Sequence, residues 1–156
     1  MTGNNPIAPK KINREERFGF SLLAIAFAVF YILITRIELT FTYYNIFISL
    51  ESDSQVKGYF LISMVLFFII ILASIVFLFC FFKRKTVTKY LFLYISLFYV
   101  LYPAVSYLYG IYIVGVDVDI FELGYVDHLI FDTVVFLLIL MPYLFFSKKS
   151  RSVFTK

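Results

Sequence analysis

Four long apolar segments fill most of this chain of 156 residues and limit what it can fold into. They run from about residue 18 to 39, 58 to 82, 90 to 116 and 129 to 146. A transmembrane helix needs about 20 mainly apolar residues. The segments lack the period-two alternation of barrel strands, and in lipid a helix satisfies its own backbone groups. We therefore predict an all-α polytopic membrane protein, a four-helix transmembrane bundle forming one domain over residues 18–146.

Composition supports the same class. The chain is 62% hydrophobic and 15% charged, whereas soluble domains average roughly 45–50% apolar and about 25% charged residues. Little chain remains outside the four segments for a separate soluble domain. With 21 Phe, 13 Tyr and no Trp, the aromatic belt at the membrane interface would consist of Tyr and Phe.

The basic residues predict the orientation. Twelve of the 14 lysines and arginines lie in three stretches, which are the first 17 residues, the loop between the second and third segments, and residues 147–156. Arg36 and Lys57 are the exceptions, and most acidic residues lie with them. The positive-inside rule then places both termini and the middle loop in the cytoplasm, an N-in/C-in topology.

The predicted topology makes residues 1–17 and 147–156 cytoplasmic tails and leaves two loops outside. Residues 36–57 are predicted as an outer loop, with room for a short interfacial helix, and residues 116–128 as an acidic one. The basic clusters at residues 83–85 and 148–151 would contact anionic lipid headgroups. We expect no binding to nucleic acid, because the membrane surface accounts for these charges.

Asp132 and Arg36 form a candidate intramembrane polar pair. An ionisable group costs about 2.5–3.5 kcal/mol at the centre of a span and is a functional hypothesis by default. Alternatively, Asp132 is stabilised in the first turn of its helix. A rise of 1.5 Å per residue puts both residues near the outer rim, where they would tie the first and fourth spans. Glu38 is a competing partner of Arg36. A structural tie is favoured over a transport site.

Pro103 interrupts the third segment, where it should kink the helix. Polar and aromatic residues surround it and form a candidate ligand or partner surface for a lipid, a quinone-like ligand or another membrane protein. The alternative is packing between helices through these hydroxyls, with small residues four apart allowing close approach. The surface comprises Tyr99, Tyr102, Pro103, Ser106, Tyr107, Gly110 and His128.

His128 is the single histidine and lies one turn before Asp132. With the outer acids it would bind a divalent cation, or it would titrate as a pH sensor. The favoured interpretation places it at the interface beside Asp127, a helix cap, and no metal site is predicted. With one histidine, one cysteine (Cys80) and no phosphate loop, the chain has few catalytic groups. We predict a non-enzymatic protein without a cofactor.

Three stretches resemble the YdgK-like family of bacterial inner-membrane proteins. They are Phe81-Phe82-Lys83-Arg84-Lys85 with residues 87–90, the closing run from Pro142 to Lys149 with Arg151 and Phe154, and residues 17–23. The family's Gly-Gly-Trp entry keeps Gly19, but Phe20 and Ser21 replace the other two residues. The resemblance covers both cytoplasmic junctions, fails in the outer loops, and implies a four-span fold in the inner membrane without indicating an activity.

Three functions fit these features. The first is an accessory or interaction protein, a subunit or modulator of a larger complex in the bacterial cytoplasmic membrane. The second is an immunity protein against a pore-forming toxin, which would need only a compact bundle. The third is a small transporter or lipid-binding protein that uses Asp132, Arg36 and the cavity at Pro103. The first is favoured, because catalytic residues are few and small residues line several helix faces.

Overall fold

The computed structural model describes residues 19–49, 54–109, 112 and 130–154. Its principal elements are helices: α1 (Phe20–Ser49), α2 (Ser54–Phe82), α3 (Val87–Tyr109), α4 (Ile130–Phe146) and α5 (Lys148–Val153). Three of them, α1 to α3, are long and apolar enough to cross a membrane, and α4 is a shorter apolar helix. The prediction of a helical fold is confirmed for these residues, while the four crossings and their orientation stay predictions.

The first helix is longer than the sequence suggested. Residues 36–49 continue α1, and α2 begins at Ser54, so the prediction of an outer loop over 36–57 is wrong for these helical residues. The hydroxyls of Thr35, Thr40 and Thr42 each donate to a carbonyl of their own helix. These polar side chains therefore do not require a loop. At 1.5 Å per residue α1 is about 45 Å long, more than the roughly 30 Å of bilayer hydrocarbon.

The helices pack in chain order, with α1 along α2, α2 against α3 and α3 against α4. The core is a stripe on α1 spaced three or four residues apart, and it meets phenylalanines of the other helices. In lipid such a core is stabilised mainly by close packing rather than by exclusion of water. Its largest members include Leu22, Ile25, Val29, Ile32, Phe77, Phe81, Phe92, Ile95, Phe136 and Leu144.

The turn between α2 and α3 is a Schellman motif. The N–H of Lys85 donates to the Cys80 carbonyl at 3.0 Å, and the N–H of Arg84 donates to the Phe81 carbonyl at 3.0 Å. Arg84 occupies the left-handed position with φ of 56°, where glycine is the usual residue. The turn reverses the chain within residues 83–86 and places three consecutive basic residues at this end of the bundle, with Lys83 and Lys85 exposed and Arg84 half-buried.

A π-helical segment, Val134–Leu140, lies within α4. It ends just before Pro142, which has no N–H and whose ring would clash with the Leu138 carbonyl in a regular α-helix. The wider π turn, with the Met141 N–H bonded to the Phe136 carbonyl, accommodates that proline without ending the helix.

The predicted C-terminal tail is a folded part of the bundle. Ser147 caps α5 by accepting the Ser150 N–H at 3.0 Å, and the Ser150 hydroxyl donates to the Leu144 carbonyl. Val153 and Phe154 are buried in the core. Because residues 147–154 are mainly polar, the sequence did not indicate that this segment folds against the bundle. There Phe154 packs against Phe81 near the end of α2. We call this end of the molecule, with Lys83–Lys85 and Lys148–Arg151, the basic end.

Candidate functional site

Arg36 lies on the buried stripe of α1. It follows Val29 and Ile32 at spacings of three and four residues and is only 5% exposed. The sequence placed it at the outer rim, but α1 continues 13 residues beyond it, so Arg36 lies inside the bundle. A charged side chain at such a position is costly unless protein groups replace its hydration.

Three aromatic rings take the place of water around the Arg36 side chain. The guanidinium carbon of Arg36 is 5.2 Å from the ring centroid of Phe67 on α2. It is 4.8 Å from Tyr99 and 5.7 Å from Tyr102, both on α3. Such cation–π contacts are each worth about 2 kcal/mol or more when water is excluded. We call Arg36 with these three residues the arginine box, and it joins α1, α2 and α3.

Tyr99 connects the arginine box to α4. The Tyr99 hydroxyl lies within hydrogen-bonding reach of the half-buried Asp132 carboxylate. The Tyr99 ring also interacts with the charge of Arg36. Its ring packs on Phe136 at 5.1 Å between centroids. The two ionisable residues that the sequence paired, from α1 and α4, are thus brought to one tyrosine of α3. Whether the pair has a functional role stays a prediction.

A small cleft with a mainly apolar surface lies between α2 and α3. It has a volume of about 170 Å³. The Tyr102 hydroxyl is buried there without a hydrogen-bond partner. The hydroxyls of Ser63, Ser106 and Tyr59 lie near it. The cleft is lined by Tyr59, Ile62, Ser63, Leu66, Tyr102, Val105, Ser106 and Tyr109.

The predicted surface around Pro103 is divided between these two features. Tyr99 lies in the arginine box, Ser106 lines the cleft, and Tyr102 belongs to both. Pro103 is half-buried within the continuous helix α3, and Tyr107 is half-buried without lining the cleft. Gly110 and His128 lie outside the described residues, as does the predicted acidic loop 116–128.

The sequence analysis missed the contribution of α2. Phe67 in the box, and Tyr59 and Ser63 in the cleft, all belong to this helix. Because α2 is apolar on every side, its sequence has no periodicity that marks the inward face. The spacing of four between Tyr59 and Ser63 was the available sign that two polar groups share one face.

Comparisons with known proteins give no match: no family model, no curated protein and no solved structure is similar to this chain. The resemblance to the YdgK-like family stays a prediction. Among the residues that the structure describes, no three His, Cys, Asp or Glu side chains form a group that could hold a metal ion.

Proposed function

We propose that the chain is a non-enzymatic accessory protein, a subunit or modulator of a larger complex in the bacterial cytoplasmic membrane. It crosses the bilayer four times, with both termini and the basic end in the cytoplasm. The observation that carries the proposal is the enclosure of Arg36 by Phe67, Tyr99 and Tyr102. The charge of Arg36 is used for packing inside the bundle, and the outer groove between α1 and α2 has an apolar lining for contact with a partner.

One outward groove fits a partner helix. It lies between α1 and α2, has a volume of about 360 Å³, and has an entirely apolar lining that includes one small residue, Ala26. In membranes, helices associate where small residues allow backbones to approach closely. The groove is bounded by Leu23, Ala26, Phe27, Phe30, Leu78 and Phe82.

Photo-crosslinking tests this proposal. A photoreactive phenylalanine analogue at position 27, which is 71% exposed in the groove, should give one discrete protein adduct in cells. The matched control is the same analogue at Phe68, which is 58% exposed on α2 and outside the groove. If both positions give only lipid adducts, or the same pattern of protein adducts, a partner at this groove is excluded.

Topology is tested separately. Reporters that are active only in the cytoplasm or only outside it, fused after residue 156, should report a cytoplasmic C-terminus. A fusion within residues 113–129 should report the opposite side. A C-terminal fusion active outside the cytoplasm would overturn the proposed orientation and the number of crossings.

A second candidate function is a small transporter centred on Tyr99. The observation that favours it is the convergence of Arg36 and Asp132 on this residue, since ionisable groups inside membrane proteins often mark ion or proton paths. Asp132→Asn retains an acceptor for the Tyr99 hydroxyl and removes the charge. The variant should fold and lose proton or solute flux in vesicles. Unchanged flux in a folded variant, or no flux in the parent protein, rules the transporter out.

A further inference from the structure

Two cations from different helices lie close together beside the basic end. Lys89 is in the first turn of α3 and Arg151 is in α5, and the two side chains are near enough for each charge to act on the other. Lys89 is half-buried and Arg151 is exposed. Two positive charges repel each other, and the repulsion grows where less water surrounds them. The junction of α3 and α5 therefore favours an anion between the two side chains.

The backbone that carries each cation is held by packing. Thr88 precedes Lys89 and is fully buried at the start of α3. Ser150 and Val153, on either side of Arg151 in α5, are buried as well. Neither segment can move away without exposing these residues, so the two positive charges stay neighbours in the folded protein. A ligand would find the pair already in place, which lowers the entropic cost of binding.

Among the residues that the structure describes, no acidic side chain lies at this end of the bundle. Residues 83–89 and 147–156 contain basic residues and no Asp or Glu. The two acidic residues of the described helices are Glu38, in the second half of α1, and Asp132, at the start of α4. The basic end lies at the other end of both helices. The described part of the chain therefore supplies no counter-charge for the pair.

An apolar stripe on α3 leads away from the cation pair. Its members are exposed and are spaced three or four residues apart, so they share one face of the helix. They are Tyr90, Tyr94, Leu97 and Leu101. The last three line an apolar groove of about 340 Å³ between α2 and α3. From Lys89 to Leu101 the stripe is about 18 Å long at the helical rise, close to the roughly 15 Å of hydrocarbon in one leaflet. Cations followed by such a groove match a membrane lipid better than a soluble anion.

We propose that the junction of α3 and α5 binds one anionic phospholipid, whose phosphate bridges Lys89 and Arg151 and whose acyl chain lies along the stripe on α3. A guanidinium can bind a phosphate through two parallel hydrogen bonds, and an ammonium binds it as a point charge. A zwitterionic headgroup would bring an ammonium of its own, which the pair repels. The site depends on the proposed location in a membrane and is independent of the partner groove between α1 and α2.

Binding is tested with the whole protein in neutral detergent, by native mass spectrometry with phosphatidylglycerol, which carries one net negative charge. We expect the parent protein to retain one molecule of it at concentrations where zwitterionic phosphatidylethanolamine is not retained. Lys89→Gln and Arg151→Gln should each weaken binding about tenfold, because each removes a charged hydrogen bond to the phosphate. Lys89→Arg keeps the charge and should bind within about twofold of the parent.

Lys83→Gln and Lys85→Gln are the matched controls, because both residues are exposed at the same end and each variant loses the same charge. Each should change the affinity by less than about twofold. Equal losses in all four Gln variants would overturn the proposal, since the attraction would then be a diffuse effect of net charge. Equal retention of the two lipids would also overturn it. Displacement of the lipid by inorganic phosphate at equal concentration would do the same, because the acyl chain would then contribute nothing.

Thermal unfolding in nanodiscs gives a second measurement that does not depend on retention in detergent. In zwitterionic lipid, Lys89→Gln should unfold at the temperature of the parent or above it, because the repulsion with Arg151 is removed. In nanodiscs that contain phosphatidylglycerol, the parent should be the more stable of the two, since it alone gains the full binding energy. The same order of stability in both lipids would contradict a phosphate held between Lys89 and Arg151.

Discussion

The arginine box and the basic end both hold cations over aromatic rings, but in different surroundings. Arg36 lies 4.8 to 5.7 Å from three ring centroids and is almost fully buried. Lys83 lies 5.7 Å from the Phe79 ring, and both of these residues are exposed. Such a contact is worth about 0.5–1 kcal/mol when exposed and about 2 kcal/mol or more when desolvated. Because the contact geometry is similar, burial determines how much each cation–π contact contributes to stability.

The two regions therefore depend on their residues in different ways. In the arginine box, each ring takes the place of water around the Arg36 charge. The loss of any one residue of the box therefore leaves buried polar groups without a favourable contact. At the basic end Lys83 is exposed, and the fold there depends on Phe154, Ser147 and the turn at Arg84. Four predictions test this contrast.

Arg36→Ala should have the largest effect. It removes the cation from three rings and opens a cavity in the bundle, which should lower the free energy of unfolding by about 5 kcal/mol. Lys83→Ala is the matched control and should change that free energy by less than about 0.5 kcal/mol. Unfolding in mixed micelles measures both. Equal effects would mean that burial does not distinguish the two cations.

Phe154→Ala tests whether the basic end has a core of its own. The ring is 2% exposed and packs against Phe81 at 5.4 Å, so its removal should cost about 3 kcal/mol. Phe146→Ala removes a ring that is 72% exposed and should cost much less in the same unfolding assay. If the two variants are equally stable, residues 147–154 do not close the bundle.

Ser147→Ala should cost about 1 kcal/mol, because it deletes the cap of α5. The effect should be local, with faster hydrogen exchange at the Ser150 amide that the cap binds. Ser152→Ala is the control, since the exposed Ser152 hydroxyl bonds only to the Lys149 carbonyl of the same helix. Unchanged exchange at Ser150 in the Ser147 variant would argue against the capped helix.

Arg84→Gly should have the smallest effect and the opposite sign. Glycine adopts a φ of 56° without the steric cost that an L side chain meets there, so we expect a gain of about 0.5–1 kcal/mol. Lys85→Gly, one residue later, should give no gain in the same assay. A loss of stability in Arg84→Gly would show that the contacts of the arginine side chain outweigh the relief of the backbone.

The sequence predicts the location of the basic end better than it predicts the arginine box. Counting lysines and arginines locates the basic end, but the run of cations obscured the stripe of Ser150, Val153 and Phe154 that folds α5 back. The spacing of Val29, Ile32 and Arg36 contained the information that Arg36 is buried. The predicted outer loop over residues 36–57 was wrong because a sequence does not show that the hydroxyls of Thr40 and Thr42 can bond to carbonyls of their own helix.

The ring partners of Arg36 were beyond sequence reasoning for a different reason. Phe67 is one of many phenylalanines in α2, and apolar residues on every side of that helix remove the pattern that would mark its inward face. Tyr99 and Tyr102 were singled out because Pro103 drew attention to them, rather than because any pattern placed them beside Arg36. Such neighbours depend on how the helices rotate against one another.

Water-edited NMR in lipid bilayers tests the central claim, which is that the Arg36 charge is enclosed by protein. The chain has five arginines, and the side-chain signal of Arg36 is assigned as the one missing in Arg36→Lys. The account predicts that magnetisation from water reaches this signal far more slowly than the signals of Arg84 and Arg151 at the basic end. Transfer as fast as to those two arginines would contradict it, because Arg36 would then face water.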